Sequence, residues 1–366
     1  MNYILKSRPY MDVGKLEPKY SNNYAKYVIF KNNIFELDKY RMKISEIKNW
    51  DKIKKMCNPY ELINISGYRA NYSIAKFRPL SRSYFKMIEI INLCNLSEVK
   101  QDILCLAEGP GGFIQALHSH NKNHKIIGVT LPPISNEIPS WNKLLEKKRL
   151  AKNVIVKYCD LCIPNTLDEL FMADLITADG GIDYSEDQIH QEQVYYKIIF
   201  CEIACALRYQ KKGGTFVLKI VDITTILTLK MIYILTLHYE MVNIVKLHTS
   251  RPANAEKYLV CKNFRGNRLN LSNIIDNWKE QSLIDLENIR LPADFIHELY
   301  EYNKEYTLKQ IESLSYIIDR SRIDIMSDDY NQIIKYQCKK AIEWCNKNNI
   351  EINENSPYYI KYISSI

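Results

Sequence analysis

The sequence predicts an α/β protein in three parts. A mixed sheet, parallel but for one antiparallel strand, spans residues 76–267; a basic extension precedes it over 1–75, and a helical module follows over 268–366. Three observations lead there. From about residue 100, short β-branched runs alternate with helical stretches, the pattern of a parallel sheet with crossover helices. The last two runs are joined by a loop too short for such a helix, so they pair antiparallel. Beyond about residue 268, apolar residues recur at three- and four-residue spacing.

In chain order, residues 1–75 show no clear period and several turn signals, a partly helical extension. Ser81–Ile90 reads as an amphipathic helix through Phe85, Met87 and Ile88. Strands are expected at Ile103–Ala107, Lys125–Val129, Val154–Lys157, Asp174–Ala178, Thr215–Ile220, Met241–Leu247 and Lys257–Lys262. Between them, helices are expected near Gly112–Ser119, Asp187–Tyr209 and Thr225–His238. The last module should hold helices at Ile274–Leu286, Pro292–Tyr302, Leu308–Ile317 and Tyr330–Lys347.

Charge is unevenly spread. The chain of 366 residues carries +8, yet its first hundred residues hold 19 Lys+Arg against 9 Asp+Glu, a balance of +10, which leaves −2 for the rest. Tyrosines such as Tyr20, Tyr40 and Tyr68 are interleaved there. Aromatic faces beside cations suit a polyanion with stackable bases, although a solvated surface would look the same. No run reaches the 18 or so apolar residues of a membrane span, and Met1–Lys6 lacks a signal-peptide core, so a soluble, intracellular protein is expected: cytoplasmic or, if viral, in the host cytoplasm or virion. The ten cysteines read as reduced thiols. Cys159 and Cys162 form a CxxC with no second pair, so no metal is expected.

The run from Leu104 through Glu108, Gly109, Pro110, Gly111, Gly112 and Phe113 is a strand entering a glycine-dense turn and then a helix. Glycines let a ligand lie against bare backbone, and a helix N-terminus offers N–H groups to an anion. A dinucleotide, a nucleoside or no ligand would all suit such a turn, but Ile114 stands where G-x-G-x-x-G wants its last glycine, which disfavours the first. Asp160 follows the third strand, where a carboxylate can accept from a base amino group. The second strand ends in Thr130, not in the acid that often holds a ribose diol.

Four polar residues stand apart. Asp179 ends a strand before Gly180 and Gly181; singly it could be a cap. Lys219 ends the apolar run from Thr215, where a lysine needs a partner or must snorkel. Glu256 opens the last strand and Lys86 lies in the first amphipathic helix; each alone could be surface charge.

Together, in this order and 93, 40 and 37 residues apart, they and their motifs resemble the FtsJ-like family of RNA ribose 2′-O-methyltransferases. The resemblance covers about residues 76–265 and implies a Rossmann-like sheet binding S-adenosyl-L-methionine. It implies a catalytic set of Lys86, Asp179, Lys219 and Glu256, and donor binding by Glu108, Gly109, Pro110, Gly111, Gly112, Phe113, Thr130, Asp160 and Asp179. The wording of the glycine turn and of Gly128–Leu131 is more similar to the messenger-cap branch, in which a missing acid at Thr130 is usual. RNA, the capped 5′ end of messenger RNA in particular, is therefore the expected partner, together with any capping-complex proteins, and Arg78, Arg82, Ser250 and Arg251 are the expected RNA contacts. A ribosomal- or transfer-RNA methyltransferase, or a donor-binding subunit without activity, are the alternatives.

Overall fold

The computed structural model describes residues 2–23, 31–44, 46–96, 99–132, 141, 153–163, 171–182, 189–321 and 328–363. The chain opens with strands β1 (Asn2–Leu5) and β2 (Pro18–Ser21), then helices α1 (Lys31–Ile44) and α2 (Trp50–Met56). Next come α3 (Ser83–Cys94), β3 (Asp102–Leu106), α4 (Gly112–His120), β4 (Lys125–Thr130), β5 (Val154–Tyr158) and β6 (Ala173–Ala178). They are followed by α5 (Gln191–Val194), α6 (Tyr196–Tyr209), β7 (Gln210–Ile220), α7 (Ile226–His238), β8 (Tyr239–Val245) and β9 (Lys257–Phe264). The last part holds α8 (Ser272–Asn277), β10 (Ser282–Leu286), α9 (Ala293–Asp319), α10 (Asp328–Lys347) and α11 (Pro357–Ile363).

Among the described residues the main sheet has eight strands in the order β1-β8-β9-β7-β6-β3-β4-β5. β9 runs against β7 and β8, and β1 against β8, so two strands oppose the rest where one was expected. The extra one comes from the extension: Asn2–Leu5 pairs with Val242–Val245 and covers the edge that β8 would otherwise expose. The inner strands are buried on both faces, as parallel strands between helices must be. Ile103 and Cys105 face a core shared with α3, α4 and Trp344 of α10, while Leu104 and Leu106 face α6 and α7. α7 is apolar almost all round because it is covered on both sides, by β8 and β9 and by β10.

Two helix expectations fail. Ile274–Leu286 divides into α8 and β10, which pairs antiparallel with β2. Leu283 and Leu286 are both buried at helical spacing, but an irregular register between Leu283 and Asp285 lets a strand bury both. The separate helices expected at Pro292–Tyr302 and Leu308–Ile317 are one helix, α9, in which the polar Asn303 and Thr307 between them are buried. The helix expected from Asp187 is seen from Gln191, residues 183–188 lying outside the described stretch. Among the described residues no helix is long and apolar enough to cross a membrane.

β4 and β5 continue to one side of β3 while β6 and β7 lie on the other, which opens a crevice past the carboxyl ends of β3 and β6. The Asp179 N–H donates to the Leu106 carbonyl (3.3 Å), joining the glycine turn to the Asp179 loop at that switch point.

Candidate active site

A cavity of about 720 Å³ occupies this crevice and continues past β7 and β9. At its far end the four polar residues converge. Lys86 Nζ lies 2.7 Å from Glu256 Oε2, and Lys219 Nζ lies 3.4 Å from Asp179 Oδ1 while donating to the Asp179 carbonyl at 3.1 Å. Lys86 comes from α3, Asp179 from the end of β6, Lys219 from β7 and Glu256 from the residue ahead of β9, so sheet order and not chain order assembles them. Gly181 leaves open space beside them: a Cβ there would sit 3.6 Å from Lys219 Nζ.

Burial alone would raise the Glu256 carboxyl, but Lys86 and Lys219 outweigh it and hold it at about 2. Burial would likewise neutralise Lys219; Asp179, Glu256, Tyr195 and Glu202 win instead, and its pKa is raised above the ordinary lysine value. The resting Lys219 is therefore an ammonium.

The near half of the cavity is walled by Ala107, Gly109, Pro110, Gly180 and Gly181, with Leu131, Leu161 and Ile182 supplying apolar surface. Thr130 and Asp160 line it from the ends of β4 and β5, and Asp160 Oδ1 accepts the Cys162 N–H at 2.8 Å. Bare backbone, apolar faces and a peripheral carboxylate suit a nucleoside joined to an amino acid. Glu108, Gly111, Gly112 and Phe113 lie behind this wall. Glu108 is buried and accepts from the Phe113 and Ile114 N–H groups (2.6 and 3.3 Å), so it caps α4 and engages the donors that an anion could otherwise have used. Gly111 takes φ +102°, and a Cβ on Gly112 would collide with Ser81 and Ser83. Phe113 is core.

Arg82 and Arg251 also line the cavity, tied to a common carboxylate: Arg82 Nη1 and Arg251 Nη2 reach Glu61 at 3.2 and 3.1 Å. Ser250 is buried in the same wall, whereas Arg78 is exposed and is not among the lining residues. Glu89 holds this loop from α3, accepting from the His248 and Thr249 N–H groups (2.7 and 3.0 Å) and from Trp344 Nε1 of α10 (3.2 Å). Cys159 and Cys162 line the cavity too; among the described residues no cluster of three His, Cys, Asp or Glu has metal-binding proximity.

Several participants escaped the sequence reading. The Tyr258 hydroxyl donates to Asp179 Oδ1 (2.9 Å), and Glu202 Oε1 accepts the Gly180 N–H (3.1 Å). Lys246 donates to the Asn254 and Glu256 carbonyls (2.7 and 2.9 Å), and burial pulls its pKa down to about 7. Its signal was present, a lysine closing an apolar strand as Lys219 does; Glu89 and Glu202 were likewise lone acids in apolar helix faces.

An α/β sheet with a ligand crevice at its switch point, bordered by two lysine–carboxylate pairs, defines a Rossmann-like group-transfer enzyme. The model of the FtsJ-like methyltransferase family matches residues 79–264, just over half of the chain. The chain belongs to that family, whose methyl donor is S-adenosyl-L-methionine. It is 32% identical over 154 residues to the cap-specific mRNA (nucleoside-2′-O-)-methyltransferase 1 of Dictyostelium discoideum, covering 40% of this chain and 20% of that protein. A probable methyltransferase of African swine fever virus is 29% identical over 209 residues (50% of this chain, 49% of that one). The cap-specific mRNA (nucleoside-2′-O-)-methyltransferase of Autographa californica nuclear polyhedrosis virus is 30% identical over 189 residues (50% and 71%). The chain thus spans half or less of the length of the first two relatives.

Proposed function

We propose that this chain methylates a ribose 2′-hydroxyl of RNA, at the 5′ end of capped messenger RNA. The observation that carries the reading is the meeting of Lys86–Glu256 and Lys219–Asp179 at one end of a cavity whose other end fits the donor. S-adenosyl-L-methionine, held against Gly109, Pro110, Gly180 and Gly181, would supply an electrophilic sulfonium methyl. Lys219 is the general base. It is charged at rest, so it must release its own proton to water at the mouth of the cavity before taking one from the hydroxyl, and anything that draws Asp179 away lowers its pKa toward that state. Lys86, fixed by Glu256, orients the hydroxyl oxygen, and the Tyr258 hydroxyl keeps Asp179 in place. Positioning of this kind supplies about 7–11 kcal/mol of a displacement barrier. The preference for capped RNA is supported by the similarity to the cap-specific methyltransferases of Dictyostelium discoideum and Autographa californica nuclear polyhedrosis virus and by the wording of the glycine turn.

The test is mass spectrometry of nucleosides released after incubation with isotope-labelled donor and either capped transcript, the same transcript uncapped, or ribosomal RNA. A 2′-O-methylated nucleotide next to the cap is expected. Label in ribosomal RNA alone would move the substrate assignment, and label in none would leave a donor-binding subunit.

A further inference from the structure

Next to the main cavity, across the segment 251–254, lies a second one of about 610 Å³. Its walls come from α2, the turn after it, α9 and α10, elements outside the family-matched stretch; only Arg251–Asn254 belong to that stretch. Arg251 and Asn254 border both cavities. Lys246 holds the shared partition through the Asn254 carbonyl and the site through that of Glu256.

We propose that this second cavity holds a nucleobase of the same RNA strand whose ribose enters the tetrad, an inference that rests on the RNA reading above. Tyr316 and Tyr336 stand on its rim with 40% and 52% of their surface exposed, over apolar walls that include Pro59, Pro252 and Ile333. Half-exposed phenol rings above an apolar slot are the usual means of stacking a base irrespective of its identity. The Arg320 guanidinium lies 3.6 Å from the Tyr316 centroid and the Lys340 ammonium 5.8 Å from that of Tyr336, so positive charge that can meet the sugar-phosphate chain flanks both rings. The exposed Glu312 carboxylate on the same wall can accept from a base N–H. A strand spanning both cavities crosses Arg251, which positions the ribose by its neighbour as well as by the tetrad.

The base could be a transcribed one or that of a cap, and the experiment separates them. Fluorescence-anisotropy titrations of one short labelled RNA, capped and uncapped, are made against the full chain and its Tyr316→Ala, Tyr336→Ala and Tyr336→Trp variants. Each alanine variant is expected to bind about tenfold more weakly, the tryptophan variant to bind as the parent does, and donor affinity and melting temperature to stay unchanged. A loss confined to capped RNA assigns the pocket to the cap base, and a loss with both RNAs to a transcribed one. Affinities within twofold of the parent for both alanine variants, or no RNA binding by the parent, overturn the proposal. If the pocket variants lose RNA but the parent transfers no methyl group, the pocket stands and the enzyme reading falls.

Discussion

Under β3 and β6 the cavity is shaped by backbone: Gly109, Pro110, Gly180 and Gly181 form the wall, and the acids behind it, Glu108 and Glu202, accept backbone N–H groups. Under β7 and β9 it is shaped by charge, two lysines each paired with a carboxylate and braced by Tyr258 and Lys246. The first end recognises a shape, so added atoms should damage it. The second sets protonation states, so removed charges should.

The sharpest break of that contrast is Lys219→Ala. Methyl transfer is expected to fall about 10²–10⁴-fold while donor affinity, measured by calorimetry, stays within twofold; equal losses of both would merge the two ends into one unit. Next is Lys86→Met, which takes from the buried Glu256 carboxylate its hydrogen-bonded ion-pair partner and leaves only the more distant Lys219 and Lys246 charges. About 3–5 kcal/mol of stability should be lost at neutral pH, read from urea unfolding.

The same pair sets an acid limb. Because the Glu256 pKa is depressed to about 2, its contribution is fully present above the ordinary carboxylate value of 4.5 and is lost as pH falls from there toward 2. Replacing Glu256 with Gln should flatten stability across that window, and an unchanged slope would show that other carboxylates govern it. Gly180→Ala probes the shape end: its Cβ would meet Glu202 Oε1 at 2.5 Å and Ile198 Cγ1 at 2.9 Å. A loss of about 1–3 kcal/mol with weakened donor binding is expected. The smallest effect belongs to Glu61→Gln, which releases Arg82 and Arg251 from their common carboxylate; RNA binding should become steeper in salt by about one phosphate's worth of slope.

The two ends also differed in how far the sequence disclosed them. Glycines at the end of an apolar run mark the backbone wall directly, since few other residues allow φ +102° at Gly111. Lys86, Asp179, Lys219 and Glu256 carry no such local mark; each is ordinary alone, and only their order and separations suggested a set. Side chains that act through others left less trace. Tyr258 among apolar strand residues reads as core until its hydroxyl is seen on Asp179. Arg82 and Arg251 were expected to meet RNA, and nothing in the sequence tied Glu61 to either of them. Strands β1 and β2 were missed because four residues are too few to show a period and their partners, β8 and β10, are more than 200 residues away.

Those two short strands decide how the molecule can be cut. β1 seals the sheet, β2 pairs with β10, and α1 lies along α9, so the first and last segments buckle to each other around the outer side of the catalytic sheet. A fragment trimmed to residues 76–267 would bare the margin of β8 and the oily flank of α7 together, and it should clump on expression where the full chain does not. The ends of this protein behave as a girdle, and an assayable enzyme keeps both.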